Sequence, residues 1–219
     1  MPSGAVRTVV VDLPEAAQMI SLARRAIRSR FDPDAPRDVA GLYRTEPFPP
    51  IFDERRGVFV TLSAHPSDRL RGCIGYPLPV YPLRAAIPRV AVSAAFDDPR
   101  FPPVSRDELA HLRVEVSVLT VPERILDREP EARVAAVRVG TDGLILEADG
   151  ESGLLLPQVA VEEGWTSRQF LEATCEKAGL PLGTWRRINA SLYRFQAEVF
   201  GEVSPDGPVK RVPLTPASA

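Results

Sequence analysis

A cysteine flanked by glycines is the clearest chemical signal in the sequence. The stretch "RLRGCIGY" begins at Arg69 and places Cys73 between Gly72 and Gly75. Glycine permits a positive φ or a close backbone approach, so N–H groups here can face an anionic ligand or a developing oxyanion. Arg69 and Arg71 add positive charge, which favours the thiolate over the thiol. The alternative is structural: the glycines serve a tight turn or a bulge, and the cysteine fills a small apolar gap.

A nucleophilic thiol needs a base, and the sequence offers three candidates. His65 lies eight residues before Cys73, and His111 and Asp98 follow it. His65 precedes a proline in a turn sequence, where a histidine side chain is usually exposed. Asp98 and Arg100 lie in "DDPRFPPV", from which they can reach a binding site; alternatively, Asp98 turns the chain and pairs with Arg100.

Several well-known kinds of site are missing from the sequence. It contains no phosphate-binding loop with Lys and Ser or Thr, no dinucleotide fingerprint and no Gly-x-Ser-x-Gly elbow. Neither histidine pairs with a cysteine at metal-ligand spacing, which argues against a four-ligand zinc site. A carboxylate site stays open, because a sequence does not show which of the 29 acidic residues converge. We expect no cofactor.

Composition limits the partners and the compartment. The net charge of −2 gives no general attraction to phosphate backbones. The composition therefore argues against nucleic-acid binding. That function would rest only on four arginines of the first predicted helix: Arg24, Arg25, Arg28 and Arg30. These arginines form either a solvated face or an anion-binding face. No apolar run reaches membrane-spanning length, and the two cysteines lie in segments that are predicted to be structured. We expect a cytoplasmic protein without a membrane anchor.

Three helices are predicted. The first has capping-box spacing at Asp12 and Glu15, and the last has the same spacing at Thr166 and Gln169 and stops at Gly179. Cys175 lies next to the apolar face of the last helix, which favours core packing. The middle helix along the chain, "YPLRAAIPRVAVSAAF", contains Pro88, which is expected either to kink the helix or to mark the start of a new one.

Strands outnumber these helices. "GVFVTLSA" and "LRGCIGY" flank a turn, and "HLRVEVSVLT" alternates clearly. Asp142-Gly143 predicts a hairpin, Asp149-Gly150 predicts a second turn, and "SLYRFQAEVFGEV" predicts one long strand. Short connections between strands favour an α+β fold with mostly antiparallel sheets flanked by helices.

Four segments together resemble a known family. The runs "LRGCIGYP", "DPRFPPV", "LLLPQVAVEEGW" and "FLEATCEKAGLP" occur in order and resemble the AMMECR-type proteins, also called protein A of the AmmeMemoRadiSam system. The resemblance covers about residues 10 to 203. Its signature, residues 70–75, is intact.

The resemblance implies an architecture and a set of partners. It implies two unequal lobes, the larger formed by about residues 1–50 and 130–203 and the smaller by about 51–129, with the signature lining a cleft between them. Residues 204–219 are expected to be a flexible tail. Family members occur fused to or encoded beside Memo-type and radical-SAM proteins, which implies joint action, although the family's activity is not established.

Two functions remain open at this point. In the first, a binding subunit uses Arg69, Arg71, the glycine amides and Arg100 to hold an anionic small molecule or a segment of a partner. In the second, a thiol-dependent enzyme uses Cys73 as its nucleophile. We favour the binding subunit, because the sequence shows no paired base and no metal cluster.

Overall fold

The computed structural model describes residues 11–35, 38–44 and 47–213 and has an α+β fold, as predicted. The α-helices are α1 (Leu13–Ser29), α2 (Leu83–Phe96), α3 (Pro130–Ala135), α4 (Pro157–Glu162) and α5 (Ser167–Lys177). The strands are β1 (Val58–Ala64), β2 (Arg69–Tyr76), β3 (Leu112–Leu119), β4 (Glu123–Arg124), β5 (Gly143–Ala148), β6 (Glu151–Leu155), β7 (Ser191–Phe195), β8 (Ala197–Glu202) and β9 (Val209–Val212). Short 3₁₀ helices occupy Val39–Leu42, Pro50–Asp53, Asp107–His111 and Thr184–Arg186.

The first of two compact units comprises the described residues of Val10–Leu119 together with Glu198–Val212. Its five-stranded sheet has the order β2-β1-β3-β8-β9, and α1 and α2 pack against it. The strand residues that form its core alternate along β1 and β3: Val58, Val60, Leu62, Val114, Val116 and Val118. Burying each such side chain stabilises the fold by about 1.5 to 3 kcal/mol. Helix α2 continues through Pro88 as one element.

Helix α1 begins at the predicted capping box, in which Asp12 and Glu15 exchange hydrogen bonds. One expectation for this helix is wrong: Arg24 is not on a solvated face. Its guanidinium is buried, pairs with Glu202 at 2.6 Å and also donates to the carbonyl of Leu112. An arginine at this position is tolerated in the core because a carboxylate neutralises it.

The described residues of the second unit are Thr120–Ala197 and Pro213. Its sheet has the order β4-β7-β5-β6. Its core contains Phe170, Cys175 and Trp185, all fully buried, so the predicted core position of Cys175 is confirmed. Helix α5 starts at the predicted Thr166 capping box.

These units have different boundaries from the expected lobes. The sequence grouped residues 1–50 with 130–203, whereas the contacts group α1 with β1, β2 and β3. The physical reason is that α1 packs directly on α2 and β3, which places it in the unit that contains the five-stranded sheet.

Three further predictions are corrected by the structure. The predicted hairpin at Asp142-Gly143 is absent, because the chain before it forms the end of α3 and a turn at Arg138–Asp142 and not a strand. The hairpin turn lies at Asp149 and Gly150, both with positive φ. The predicted single strand is two strands, β7 and β8, in different sheets. The expected flexible tail contains β9, which pairs with β8; residues 214–219 lie outside the described residues.

Candidate functional site

Cys73 lies on β2, at the edge of the five-stranded sheet. In the cross-strand register it is opposite Thr61 of β1, and Thr61 is opposite Glu115 of β3. Because paired residues project to the same face, these three side chains form one row. The row lies on the face away from α1 and α2, since its neighbours Val60 and Leu62 point into the helix-covered core.

The two glycines of the signature serve close packing. A Cβ on Gly72 would lie 2.0 Å from the carbonyl oxygen of Ala94 in α2, and a Cβ on Gly75 would lie 2.3 Å from the Phe59 ring. Neither glycine has a positive φ. Of the two uses considered for glycine here, the structure therefore shows close approach.

Asp98 and Arg100 satisfy the free edge of β2 at Cys73. The backbone N–H of Cys73 donates to Asp98 Oδ2 at 2.9 Å, and its carbonyl accepts from Arg100 at 3.3 Å. Arg100 also donates to Asp98 from its side chain, at 2.7 and 3.0 Å, and from its backbone N–H, at 3.1 Å. These bonds, those of Arg100 above all, lower the pKa of the Asp98 carboxyl, which holds it ionised. The alternative in which Asp98 turns the chain and pairs with Arg100 is confirmed.

The environment of the Cys73 thiol favours its protonated form. Burial is the largest effect and raises the pKa of the thiol, and the nearby acids Asp98 and Glu115 raise it further. The Thr61 hydroxyl, which donates to Sγ at 3.3 Å, and the charge of Arg100 act in the opposite direction.

Arg69, directly before the signature, and Arg71 within it differ in their surroundings. Arg71 has no cross-strand partner, because the register shifts between Leu62 and Ser63 and leaves it in a bulge. Its guanidinium pairs with Glu108 at 2.8 Å. Arg69 is exposed at the start of β2. The structure therefore commits Arg71 to an internal ion pair and leaves Arg69 facing solvent.

Of the three candidate bases, Asp98 contacts the backbone of Cys73, whereas the two histidines lie elsewhere. The His65 backbone N–H donates to the His111 carbonyl at 2.7 Å, so the two histidines lie side by side. His65 is four residues along the chain from Thr61, the residue opposite Cys73, a separation of roughly 13 Å in a strand. The weak prediction of His65 as a base gains no support from this placement.

Sequence reasoning missed two members of the row, Thr61 and Glu115. Burial raises the pKa of the Glu115 carboxyl, with Arg113 opposing the change. Both residues are the polar members of alternating strands, in "VTLS" and "VEVS". That pattern predicts a shared face, but the register that aligns them with Cys73 is not visible in the sequence.

The described residues show neither a metal cluster nor a membrane-spanning helix. Among residues 11–35, 38–44 and 47–213, no group of three or more His, Cys, Asp and Glu side chains is placed to hold a metal ion. Within the same ranges, no helix has the length and apolar character needed to cross a membrane.

Comparison with known proteins assigns the family. The AMMECR1 family model matches residues 20–200. The chain belongs to the AMMECR1 family. It is 49% identical over 207 residues to a protein of Pyrococcus furiosus, covering 91% of this chain and 94% of the relative, and 44% identical over 205 residues to one of Thermoplasma volcanium, covering 92% and 96%.

A solved AMMECR1-like structure supports the fold. The crystal structure of a Pyrococcus horikoshii protein described as uncharacterized is 46% identical, covers 93% of this chain and 98% of its own, and has a TM-score of 0.78. The recognition made from "LRGCIGYP" and the three other segments is thus confirmed.

Proposed function

We propose that this AMMECR1 protein is a binding subunit that acts with Memo-type and radical-SAM partners, and that Cys73 contributes shape and a neutral thiol. One observation carries this proposal: both backbone groups of Cys73 are already used, the N–H by Asp98 and the carbonyl by Arg100. An oxyanion site at a nucleophile needs free donors aimed at the developing charge. At Cys73 a carboxylate occupies that donor.

The acid–base properties of the surroundings point the same way. A thiol nucleophile works as the thiolate, and burial raises the pKa of Cys73. Asp98 is a poor proton acceptor, because Arg100 and the Cys73 N–H stabilise its ionised form. The alternative, a thiol-dependent enzyme, would need a base that the observed contacts of the thiol do not supply.

The arginines limit the choice of ligand. Arg71 and Arg100 are held by Glu108 and Asp98, whereas Arg69, directly before the signature, is exposed. Nucleic-acid binding through the arginines of the first helix loses support, because Arg24 pairs with Glu202 and Arg28 pairs with Asp206 at 2.7 Å.

Alkylation of Cys73 tests the choice between binding subunit and enzyme. The native protein is treated with iodoacetamide from pH 6 to pH 10, and the modified peptides are quantified by mass spectrometry. We expect Cys73 to react more slowly than N-acetylcysteine at every pH, with its rate rising at a higher pH because burial raises the pKa of the thiol. Cys175, which is fully buried, is the internal control and should stay unmodified.

A second measurement tests the partner role. The purified chain and its Cys73→Ser variant are mixed with Memo-type and radical-SAM proteins from the same organism and analysed by size-exclusion chromatography. We expect both forms to co-elute with at least one of them. Fast alkylation at neutral pH, together with a turnover that Cys73→Ser abolishes, would establish the enzyme instead.

A further inference from the structure

A cavity of about 220 Å³ lies on the same sheet face as Cys73, on the side of β2 that faces β3, β8 and β9. Its walls come from β1, β3, β8 and β9, all within the unit that contains the five-stranded sheet. The polar and charged residues that line it are Ser63, Asp68, Arg113, Glu115, Glu202 and Lys210. The cavity shares Glu115 with the row that contains Cys73, but Cys73 itself does not line it.

A glycine forms part of the cavity wall. Gly201 of β8 pairs with Lys210 of β9, and a Cβ on Gly201 would lie 3.5 Å from Glu115 Oε2 and 3.3 Å from Val212 Cγ2. Gly201 therefore lies between an acidic and a basic residue and contributes no side chain of its own. Both of these charged residues line the cavity.

The charges around the cavity divide into paired and unpaired groups. Asp68 pairs with Arg113, and Glu202 pairs with buried Arg24. Within the described part of the chain, Glu115 and Lys210 form no ion pair. The buried Nε of Arg113 likewise lacks a hydrogen-bond partner there. One carboxyl, one ammonium and one guanidinium N–H thus remain for a ligand.

We infer that the cavity binds a small zwitterion of the amino-acid class. Its ammonium group donates to Glu115, and its carboxylate accepts from Lys210 and Arg113 Nε. The ligand's ammonium group would offset the burial that raises the pKa of the Glu115 carboxyl and so favour its ionised form. Charge-assisted hydrogen bonds then form at both ends of the ligand, whereas a simple anion or cation would leave one end of the cavity unsatisfied. A volume of 220 Å³ equals that of about seven water molecules and suits a ligand of roughly seven to ten non-hydrogen atoms.

This inference rests on the proposed binding role, and it is tested without altering Cys73. The full chain is screened by thermal shift against the twenty L-amino acids at millimolar concentration, and each hit is measured by isothermal titration calorimetry. We expect at least one amino acid to bind. Acetate and methylammonium, which carry one charge each, should bind at least tenfold more weakly.

Two variants locate the binding. Glu115→Gln and Lys210→Met should each weaken the affinity at least tenfold. Their controls are Glu147→Gln, a partly buried acid on β5, and Lys177→Met, which removes the only other lysine; both should bind as the parent does. Since Lys210 is exposed, its variant keeps the fold even if Glu115→Gln does not.

The outcomes separate the two proposals. Absence of binding by all twenty amino acids, binding unchanged in Lys210→Met, or equal binding of acetate alone would each overturn the zwitterion site. None of these results changes the alkylation profile of Cys73 or its co-elution with partners, so the binding-subunit proposal stands or falls separately.

Discussion

The side chain of Asp98 takes the place of a neighbouring strand at the edge of β2. It accepts hydrogen bonds from the Cys73 N–H and from Arg100, and it is almost fully buried. We expect Asp98→Asn to lower the free energy of unfolding by about 2 to 3 kcal/mol at pH 7, because an amide replaces a carboxylate in charge-assisted bonds. Urea unfolding measures the change. Asp97→Asn, an exposed neighbour, is the control and should change stability little.

The same contact predicts a pH dependence. Because the folded state lowers the pKa of Asp98, its stabilising effect is complete above the ordinary aspartate pKa near 4 and is lost as the pH falls below it. The difference in unfolding free energy between the parent and Asp98→Asn should therefore be constant from pH 5 to 8 and shrink at pH 3. A difference that grows on acidification would show that the carboxylate is not stabilised by these bonds.

Close packing of α2 on β2 depends on Gly72. A methyl group there would lie 2.0 Å from the Ala94 carbonyl oxygen, a backbone atom that cannot rotate away. We expect Gly72→Ala to cost about 3 kcal/mol in urea unfolding. Gly201→Ala, whose tightest contact is 3.3 Å from a side-chain methyl, should cost less than half as much. Adding Ala94→Gly should not rescue Gly72→Ala; rescue would place the clash on a side chain.

Helix α1 is fixed to the sheet by a buried ion pair. Glu202 accepts from Arg24 and from the Val114 N–H at 2.9 Å. Removing one partner leaves a buried charge, so Glu202→Gln should cost about 3 to 5 kcal/mol, and Arg24→Met with Glu202→Leu should cost less than that single change. Asp149→Asn breaks the exposed pair with Arg187 and should cost under about 1 kcal/mol. Equal losses of unfolding free energy in Glu202→Gln and Asp149→Asn would contradict the difference between a buried and an exposed ion pair.

Local signals explain what the sequence predicts about these elements. Both capping boxes, at Asp12 and at Thr166, are encoded within four residues, and both are present. The hairpin of β1 and β2 likewise follows from alternation around a short turn. These features need no knowledge of distant partners.

Long-range contacts explain what the sequence leaves open. The Asp98 bond to Cys73 spans 25 residues, and the burial of Arg24 depends on Glu202, 178 residues away. The break between β7 and β8 falls at Gln196 inside continuous alternation, because the two strands join different sheets. The alignment of Glu115 with Cys73 depends on strand register, which alternation alone does not specify.

At the scale of the whole molecule, the tryptophans and the cysteines allow the unfolding of each unit to be followed separately. Both tryptophans, Trp165 and Trp185, lie in Thr120–Ala197, as does Cys175. Cys73 lies in the unit with the five-stranded sheet. Tryptophan fluorescence therefore reports one unit, and alkylation of Cys73 reports the other.

Matched core variants test whether the two units unfold separately. Leu146 of β5 and Leu62 of β1 are both fully buried, so Leu146→Ala and Leu62→Ala should each cost about 2 to 5 kcal/mol within their own unit. Since each unit has its own core, Leu146→Ala should lower the urea midpoint of the fluorescence change and leave that of Cys73 alkylation in place, and Leu62→Ala should do the reverse. Both midpoints falling together in both variants would show that the chain unfolds as one cooperative unit.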